Sequence, residues 1–267
     1  MRRLGAAAIE YAPPVLTLAA IVAVWHVVVA SGRVPEYLVP APGDVAGRIV
    51  SGWRLFLTHS VPTLTAITGG FFGAILIGLP LSVAMVYSKV FQRTVYPLLV
   101  GSQVVPKIAL APIFVVWFGF GMSSKMLMAF LIAFFPVVIA ATAGLAATRP
   151  QSIMLIRSMG GGIWQEFWAV RWPMALPSIF AGLKVSVTLA VVGAIVGEFV
   201  GSDNGLGYLL VLARGAFDSV TIFAVIVWLS VLGLLYYSVV EIAERLLVPG
   251  PANRRRPGRD AAKEVTM

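Results

Sequence analysis

Long runs without a charged side chain are the feature of this 267-residue sequence that most restricts its fold. Five runs lack Asp, Glu, Lys and Arg altogether, and a sixth is interrupted by a single lysine; the six are 11–32, 55–88, 108–124, 126–148, 219–240 and 172–197. A bilayer core about 30 Å thick takes about 20 apolar residues as a helix, and in lipid the backbone must bond to itself. With 59% hydrophobic and 12% charged residues overall, the chain is predicted to be an all-α integral membrane protein with six transmembrane helices.

The third predicted span is less regular than the others. Extended backwards to full length, it covers 95–120 and contains Pro97, Pro106 and Pro112, with Lys107 near its middle. Because proline removes a backbone donor and bends a helix, we expect a kinked helix here. Kinked helices of this type commonly line a cavity or move, and a lysine at membrane depth usually faces a bundle interior or water. Snorkelling of Lys107 to an interface, with prolines that only shape the packing, is the alternative.

The distribution of basic residues predicts the orientation. If the N-terminus is cytoplasmic, 13 of the 20 Lys and Arg residues fall inside, 5 outside and 2 within spans. Under the positive-inside rule, both termini and the segment 148–177 then face the cytoplasm. The chain carries a net charge of +9, and its basic tail follows the last span closely. A topogenic or lipid-binding role is therefore favoured over nucleic-acid binding.

The spans divide the chain into four predicted parts. Residues 1–30 are a cytoplasmic stub and the first helix, for which a cleaved signal peptide is the alternative. Residues 31–59 are an external segment, and residues 60–248 form a five-helix core that includes the segment 148–177. Residues 249–267 are a basic cytoplasmic tail.

A short amphipathic helix is predicted inside the external segment. Asp44 is placed to cap it, and Val45, Ile49 and Trp53 recur at helical spacing. We expect this helix to lie along the outer membrane interface as a packing element rather than as a binding site.

The fifth predicted span ends at an acidic residue. Glu198 follows the apolar run near its external end, where it could pair with a basic residue, cap a gate or face the aqueous rim. The small residues Gly193, Ala194 and Gly197 favour close approach of another helix. Lys184, nearer the cytoplasmic end of the span, is placed to snorkel.

The sequence contains no pattern typical of catalysis. His26 and His59 are far apart, no His/Glu cluster has metal-ligand spacing, and cysteine is absent. The glycines at 160–162 are not followed by the Lys-Ser/Thr of a phosphate loop. We therefore predict that the chain is not an enzyme and uses neither a metal nor a cofactor. No span holds two acidic residues, which disfavours a secondary transporter.

The segment 148–177 is the long non-spanning stretch of the second half. Pro150 is placed at the start of a short helix, and the glycines at 160–162 are predicted to end it. A second short helix follows. The pairs Trp172-Pro173 and Leu176-Pro177 are predicted to break that helix and to return the chain to the membrane.

The second short helix is amphipathic. Its apolar positions recur at helical spacing and are Ile163, Trp164, Phe167 and Trp168. Gln165 and Glu166 point the other way. With Arg157 and Glu166 exposed, the segment is predicted to form a shaped knob that docks another protein; an amphipathic helix lying on lipid headgroups is the alternative.

At these residues the chain resembles the permease subunits of ABC importers. Their cytoplasmic loop carries Glu-Ala-Ala, three residues, Gly, nine residues and Ile-x-Leu-Pro. Here Gly160 matches the glycine, and Val170 and Pro173 match the end of the pattern, with Trp172 in place of Leu. The residues at 154–156, Met-Leu-Ile, depart from Glu-Ala-Ala.

Other stretches are similar to the nitrate/sulfonate/taurine branch of these permeases, and the resemblance covers about residues 38–249. They are VPAPGDV from Val39, PKIALAPIFVVWFGFG from Pro106, ALPSIFAGLK from Ala175 and GSDNGLGYLL from Gly201. The resemblance implies a type I ABC importer permease bundle in the bacterial cytoplasmic (inner) membrane.

The resemblance also implies partners. Two copies of the chain would form the path, each loop would insert a coupling helix into one of two ATPase subunits, and an extracytoplasmic solute-binding protein would deliver the solute. Arg157 and Glu166 are the inferred substitutes for the missing Glu-Ala-Ala contacts. The coupling residues implied are Arg157, Ser158, Gly160, Gly161, Trp164, Glu166, Phe167, Val170, Pro173 and Pro177.

The path or its gates are expected at Pro106, Lys107 and Glu198. A buried cation suits a small anion such as nitrate, a sulfonate or taurine. Permeases of the same branch also carry thiamine-precursor pyrimidines and other small organic solutes, which is the alternative substrate class. A secondary carrier that works without an ATPase and a membrane scaffold are the alternatives from other classes.

Overall fold

The computed structural model describes residues 2–248, and the side chains of residues 12–248. The predicted basic tail, 249–267, lies outside the described residues. The described chain is helical, and its helices are α1 (Arg2–Ala30), α2 (Pro42–Ser51), α3 (Trp53–Tyr87), α4 (Lys89–Ser102), α5 (Ala111–Phe118), α6 (Met122–Ala146), α7 (Pro150–Ser158), α8 (Ile163–Glu166), α9 (Trp172–Gly201), α10 (Leu206–Gly215) and α11 (Ser219–Leu247). A 3₁₀ helix, Lys107–Leu110, precedes α5, and a π-helical turn, Phe167–Arg171, joins α8 to α9.

Five helical segments in the described part are long and apolar enough to cross a membrane. They are Ala12–Ala30, Trp53–Tyr87, Met122–Ala146, Ile163–Gly201 and Ser219–Leu247. The pair formed by α4 and Lys107–Phe118 makes a sixth if it counts as one crossing. The predicted all-α membrane architecture is confirmed.

The third predicted span is not one kinked helix. α4 and the segment Lys107–Phe118 meet at 87° across a short break that includes Pro106. Pro106 has an extended backbone, with φ −68° and ψ 93°. Since proline has no amide hydrogen and disfavours helical geometry in the residue before it, α4 cannot continue through this point. The prediction of a single helix over 95–120 is therefore wrong.

The centre of the protein is a three-helix core made of α3, α6 and α9. Glycines allow these helices to approach closely: a Cβ on Gly70 would lie 2.4 Å from Ala129 Cβ, and one on Gly193 would lie 2.7 Å from Ala129 Cα. Ser186 Oγ donates to the Ala133 carbonyl at 2.7 Å and links α9 to α6. In lipid, helices associate through such close packing and interhelical hydrogen bonds, so the close approach predicted at Gly193 is confirmed.

A smaller layer of α2, α10 and part of α11 covers one end of the core. Val45 of α2 and Phe56 of α3 are buried there against Leu206 and Leu209 of α10. The indole of Trp228 on α11 donates to Ser60 Oγ at 2.8 Å. These contacts hold the short helices against the long ones.

The predicted short helix exists, but Asp44 does not cap it. Ala41 is the N-cap, and the helix begins at Pro42, because proline is suited to the first helical position. Asp44 lies in the first turn, where its negative charge interacts favourably with the helix dipole. Trp53 belongs to α3 rather than to this helix, and it keeps 49% of its exposure.

Lys184 is paired inside the bundle. It forms an ion pair with Glu244 of α11, and its ammonium lies 5.8 Å from the centre of the Tyr237 ring. The contact links α9 to the last turns of α11, so Lys184 supports the packing of these two helices.

Candidate functional site

The segment 148–177 begins with a helix that glycine ends. α7 stops at Ser158, and Gly160 follows with φ of +81°, a conformation that disfavours a side chain. The amide of Gly161 donates to the Ile156 carbonyl at 2.9 Å. A Cβ on Gly161 would lie 2.5 Å from Ile156 Cγ2. The predicted end of this helix at the glycines is confirmed.

The chain from Ile163 to Gly201 is helical without a break. In the π-helical turn, the amide of Trp172 donates to the Phe167 carbonyl, five residues back. The widened turn lies directly before Pro173, whose ring and missing amide hydrogen do not fit the bonding of a regular α-helix. Pro177 lies inside α9. The prediction that Pro173 and Pro177 break the helix is wrong.

Glu166, predicted to be exposed, is buried. Its side chain keeps 1% of its exposure. Oε2 accepts from Arg157 Nη2 at 2.8 Å and from Arg157 Nε at 3.1 Å, and Oε1 accepts from Arg171 Nε at 2.6 Å. The prediction is wrong because two guanidinium groups satisfy both carboxylate oxygens and compensate the loss of water. Arg157 itself remains 64% exposed, as predicted.

Arg171 connects the Glu166 carboxylate to the core. Its Nη1 donates to the Leu145 carbonyl, near the end of α6, at 3.2 Å. Its guanidinium carbon lies 5.2 Å from the ring centre of Tyr87, the last residue of α3. No pattern in the sequence singles out Arg171. Arg171 follows Glu166 by five residues, a spacing that brings two side chains together only in a π-helical turn. The sequence pattern does not reveal such a turn.

The opposite face of α8 is apolar and exposed. Trp164 keeps 74% of its exposure, and Ile163 and Trp168 are also exposed. Phe167 instead packs against the rings of Tyr87 and Trp172. Ile163, Trp164 and Phe167 border a groove of about 570 Å³ that extends along α3. Of the other predicted loop residues, Ser158 is exposed, Val170 is buried, and Pro173 and Pro177 are half-buried.

Lys107 borders a cavity beside the break in the third span. Its ammonium lies 4.6 Å from the centre of the Phe135 ring of α6. The cavity has a volume of about 540 Å³ and opens between α6 and α9. Lys107 and Gln103 supply its charged and amide groups, and most of its remaining wall is apolar, as at Ile132 and Val185. Pro106 is exposed beside it.

Glu198 lies in a separate, closed site. It keeps 1% of its exposure, and it accepts from Thr63 Oγ1 at 2.8 Å and from the Gly207 amide at 2.7 Å. The Leu206 amide donates to the same Thr63 hydroxyl at 2.9 Å. A Cβ on Gly205 would lie 2.2 Å from Glu198 Oε1. The carboxylate therefore holds the start of α10 against α3, and the structure does not bring Glu198 to the cavity of Lys107.

Lys125 is a buried residue that no sequence pattern singles out. It is one of the five basic residues that the predicted orientation places outside, yet it keeps only 1% of its exposure. Its Nζ donates to the Asn204 carbonyl at 3.0 Å and to Asn204 Oδ1 at 2.7 Å. The Asn-Gly pair at 204 and 205 indicates a turn, but no pattern connects it with a lysine 79 residues earlier. Among the described residues, no group of three or more His, Asp or Glu side chains could hold a metal.

The family model of the binding-protein-dependent transport system inner membrane component matches residues 74–249. The chain belongs to this family, the permease subunits of ABC importers. The match covers both the segment 148–177 and the cavity of Lys107, so the recognition made from the sequence is confirmed.

Two proteins similar to the permease are named after the solutes that they transport. It is 38% identical over 239 residues to the formylaminopyrimidine transport permease protein ThiX of Halalkalibacterium halodurans, a match that covers 88% of this chain and 94% of that protein. It is 30% identical over 161 residues to the taurine transport system permease protein TauC of Escherichia coli, over 58% of each chain. The resemblance to the nitrate/sulfonate/taurine branch is thereby confirmed.

The fold matches that of a solved transporter. The permease superposes on a chain of the MetNI methionine ABC transporter, in an inward-facing conformation, with a TM-score of 0.66 and 21% sequence identity. The match covers 74% of this chain and 99% of that chain. The permease therefore has the type I ABC importer fold.

Proposed function

We propose that two copies of the permease form the translocation path of an ATP-driven importer in the bacterial inner membrane. Both termini and the segment 148–177, called the coupling loop from here on, face the cytoplasm. The excess of basic residues on that side, 13 against 5, supports this orientation. A solute-binding protein delivers the solute from the opposite side, and a separate ATPase hydrolyses ATP.

The exposed aromatic face of the coupling loop is the observation that carries the proposal. Trp164 and Ile163 project from a helix whose direction is set by the turn at Gly160 and by the buried Glu166. Aromatic and arginine side chains contribute most to binding at protein interfaces. Trp164 of α8 and the exposed Arg157 of α7 therefore form the contact with the ATPase subunit, whereas the buried Glu166 does not.

ATP binding and hydrolysis would then drive transport through the coupling loop. Closure of two ATPase subunits moves the two loops, and each loop is continuous with α9 through the π-helical turn. Since α9 packs closely on α6 and α3, movement of the loop turns the core as a unit. Rigid-body rotation of this kind converts the path between inward-open and outward-open states.

The lining of the Lys107 cavity favours an organic molecule over an inorganic ion as the transported solute. A small anion such as nitrate would exchange its water for one ammonium and one amide in an otherwise apolar wall, which is costly. A heteroaromatic ring could lie against the apolar wall and accept hydrogen bonds from Lys107 and Gln103. Similarity to a formylaminopyrimidine permease points the same way. A pyrimidine-like solute is our first candidate, and a taurine-like sulfonate paired with Lys107 is the second.

Reconstitution tests this function. The permease, its cognate ATPase and its binding protein are placed in proteoliposomes, and uptake of labelled formylaminopyrimidine and of taurine is measured with and without ATP. ATP-dependent uptake of either solute is the expected result. Uptake driven by an ion gradient without the ATPase would identify a secondary carrier. A complex that hydrolyses ATP but transports neither solute would contradict the proposed substrate classes.

Substitution of Lys107 tests the path. Lys107→Met removes the ammonium from the cavity wall and should raise the KM for uptake about ten-fold, since hydrogen bonds to charged groups are strong. Lys89→Met, at an exposed position on α4, is the matched control and should leave uptake unchanged. An unaltered KM in the Lys107 variant would remove this residue from the path.

A further inference from the structure

The Glu166 carboxylate joins the helices of the coupling loop to one another through charge. Arg157 reaches it from α7, and Arg171 reaches it from the end of the π-helical turn. Both carboxylate oxygens are occupied, and the side chain keeps 1% of its exposure. One buried acidic group therefore holds α7, α8 and the start of α9 in a fixed arrangement.

Arg171 extends this arrangement into two core helices. The same guanidinium that pairs with Glu166 also donates to the Leu145 carbonyl of α6 and lies over the ring of Tyr87 at the end of α3. It keeps 15% of its side-chain exposure, so water screens these contacts little. A continuous chain of charged and polar contacts thus runs from the coupling loop to α6 and α3.

We propose that Glu166 is a positioning residue for transport: it passes movement of the coupling loop, through Arg171, to α6 and α3. The proposal rests on the proposed function, in which an ATPase moves this loop. Glu166 takes no part in docking, because its burial keeps it from any partner's surface. Its contribution is to the number of solute molecules moved per ATP hydrolysed.

A role in stability alone is the competing explanation. A buried ion pair often contributes little net stability, because removing two charges from water offsets their attraction. Loss of one partner is nevertheless harmful, since the other charge remains buried and unpaired. A test must therefore separate the connection made by Glu166 from its neutralisation of Arg171.

The single variant Glu166→Gln keeps the shape of the side chain and removes its charge. In proteoliposomes with the cognate ATPase and binding protein, we expect ATPase binding and basal ATP hydrolysis to persist, while solute uptake per ATP falls about five-fold. Glu241→Gln is the matched control, because it makes the same change in the half-exposed pair with Arg245 near the end of α11. The control should retain the wild-type ratio.

The double variant Glu166→Gln with Arg171→Met separates the two roles. It leaves no unpaired buried arginine, so its thermal stability should recover toward that of the wild type. The connection that Glu166 and Arg171 make from the coupling loop to Leu145 and Tyr87 stays broken. Uptake per ATP should therefore stay low. Recovery of uptake per ATP in the double variant would overturn the proposal and leave a purely structural role.

Two further outcomes would also overturn the proposal. Failure of the Glu166→Gln protein to bind the ATPase would make Glu166 a docking residue, and a wild-type ratio of uptake to ATP would show that it does not position the loop. If the wild type itself transports nothing with ATP, the proposed function fails and this inference fails with it. Normal transport by the wild type beside an unaffected variant rejects the inference alone.

Discussion

At Gly160, backbone conformation rather than space decides which residue is accepted. Its φ is +81°, and nothing lies within 4 Å of an added Cβ. Gly160→Ala should therefore cost about 1–2 kcal/mol in torsional strain alone, which the loop can relieve by changing the angle between α7 and α8. We expect uptake to fall while the protein still inserts and its ATPase still turns over. Gly101→Ala, also in open space but without a positive φ, is the control; normal uptake by the Gly160 variant would contradict the coupling role.

At Lys125, by contrast, side-chain contacts rather than backbone conformation decide which residue is accepted. Its ammonium makes two hydrogen bonds to Asn204 from a buried position. Lys125→Met removes both and leaves the Asn204 oxygens without this donor, so we expect a loss of about 2 kcal/mol in the free energy of unfolding. Thermal unfolding of the purified protein should show a lower Tm. Lys89→Met, on the exposed surface of α4, should change the free energy of unfolding by less than about 0.5 kcal/mol. Equal Tm values for the two variants would refute the role of the Lys125–Asn204 contact.

At the scale of elements, the lengths of apolar runs predict helices well because the bilayer imposes one requirement on all of them. Helical periodicity correctly places Glu166 and Trp164 on opposite faces of α8, but periodicity does not decide which face turns inward. That choice depends on Arg171, and Arg171 reaches Glu166 only because the turn between them is widened to a π-helical one. Periodicity at 3.6 residues contains no sign of such a turn, nor of the break before Lys107.

The π-helical turn itself can be tested through the proline that follows it. Pro173→Ala restores an amide hydrogen and permits regular α-helical bonding through this region. The coupling loop would then rotate relative to α9, so we expect lower uptake without a loss of thermal stability. Pro177→Ala makes the same change one turn later, inside α9, where no widened turn adjoins it, and should have the smaller effect on uptake. Equal effects of the two substitutions would show that the widened turn does not set the loop's direction.

For the whole molecule, the order of elements restricts which surfaces can share a side of the membrane. The coupling loop includes the N-terminal end of the long helix Ile163–Gly201, and the turn that contains Phe217 follows the C-terminal end of that helix. One crossing separates them, so they must lie on opposite sides if that helix spans the bilayer. The basic residues then select which side is cytoplasmic. Glu198 and Lys125, which hold the turn after the same helix, lie at the end remote from the coupling loop.

Labelling of single cysteines checks this orientation, because the sequence contains no native cysteine. Ser158→Cys places a thiol on the exposed coupling loop, and Phe217→Cys places one at a position that is 90% exposed. In right-side-out membrane vesicles, a membrane-impermeant maleimide should label the Phe217 variant at once and the Ser158 variant only after permeabilisation. Ser82→Cys, at a buried position within α3, should stay unlabelled throughout. The reverse pattern would put the coupling loop outside, where no cytoplasmic ATPase could reach Trp164, and the proposed mechanism would then fail as a whole.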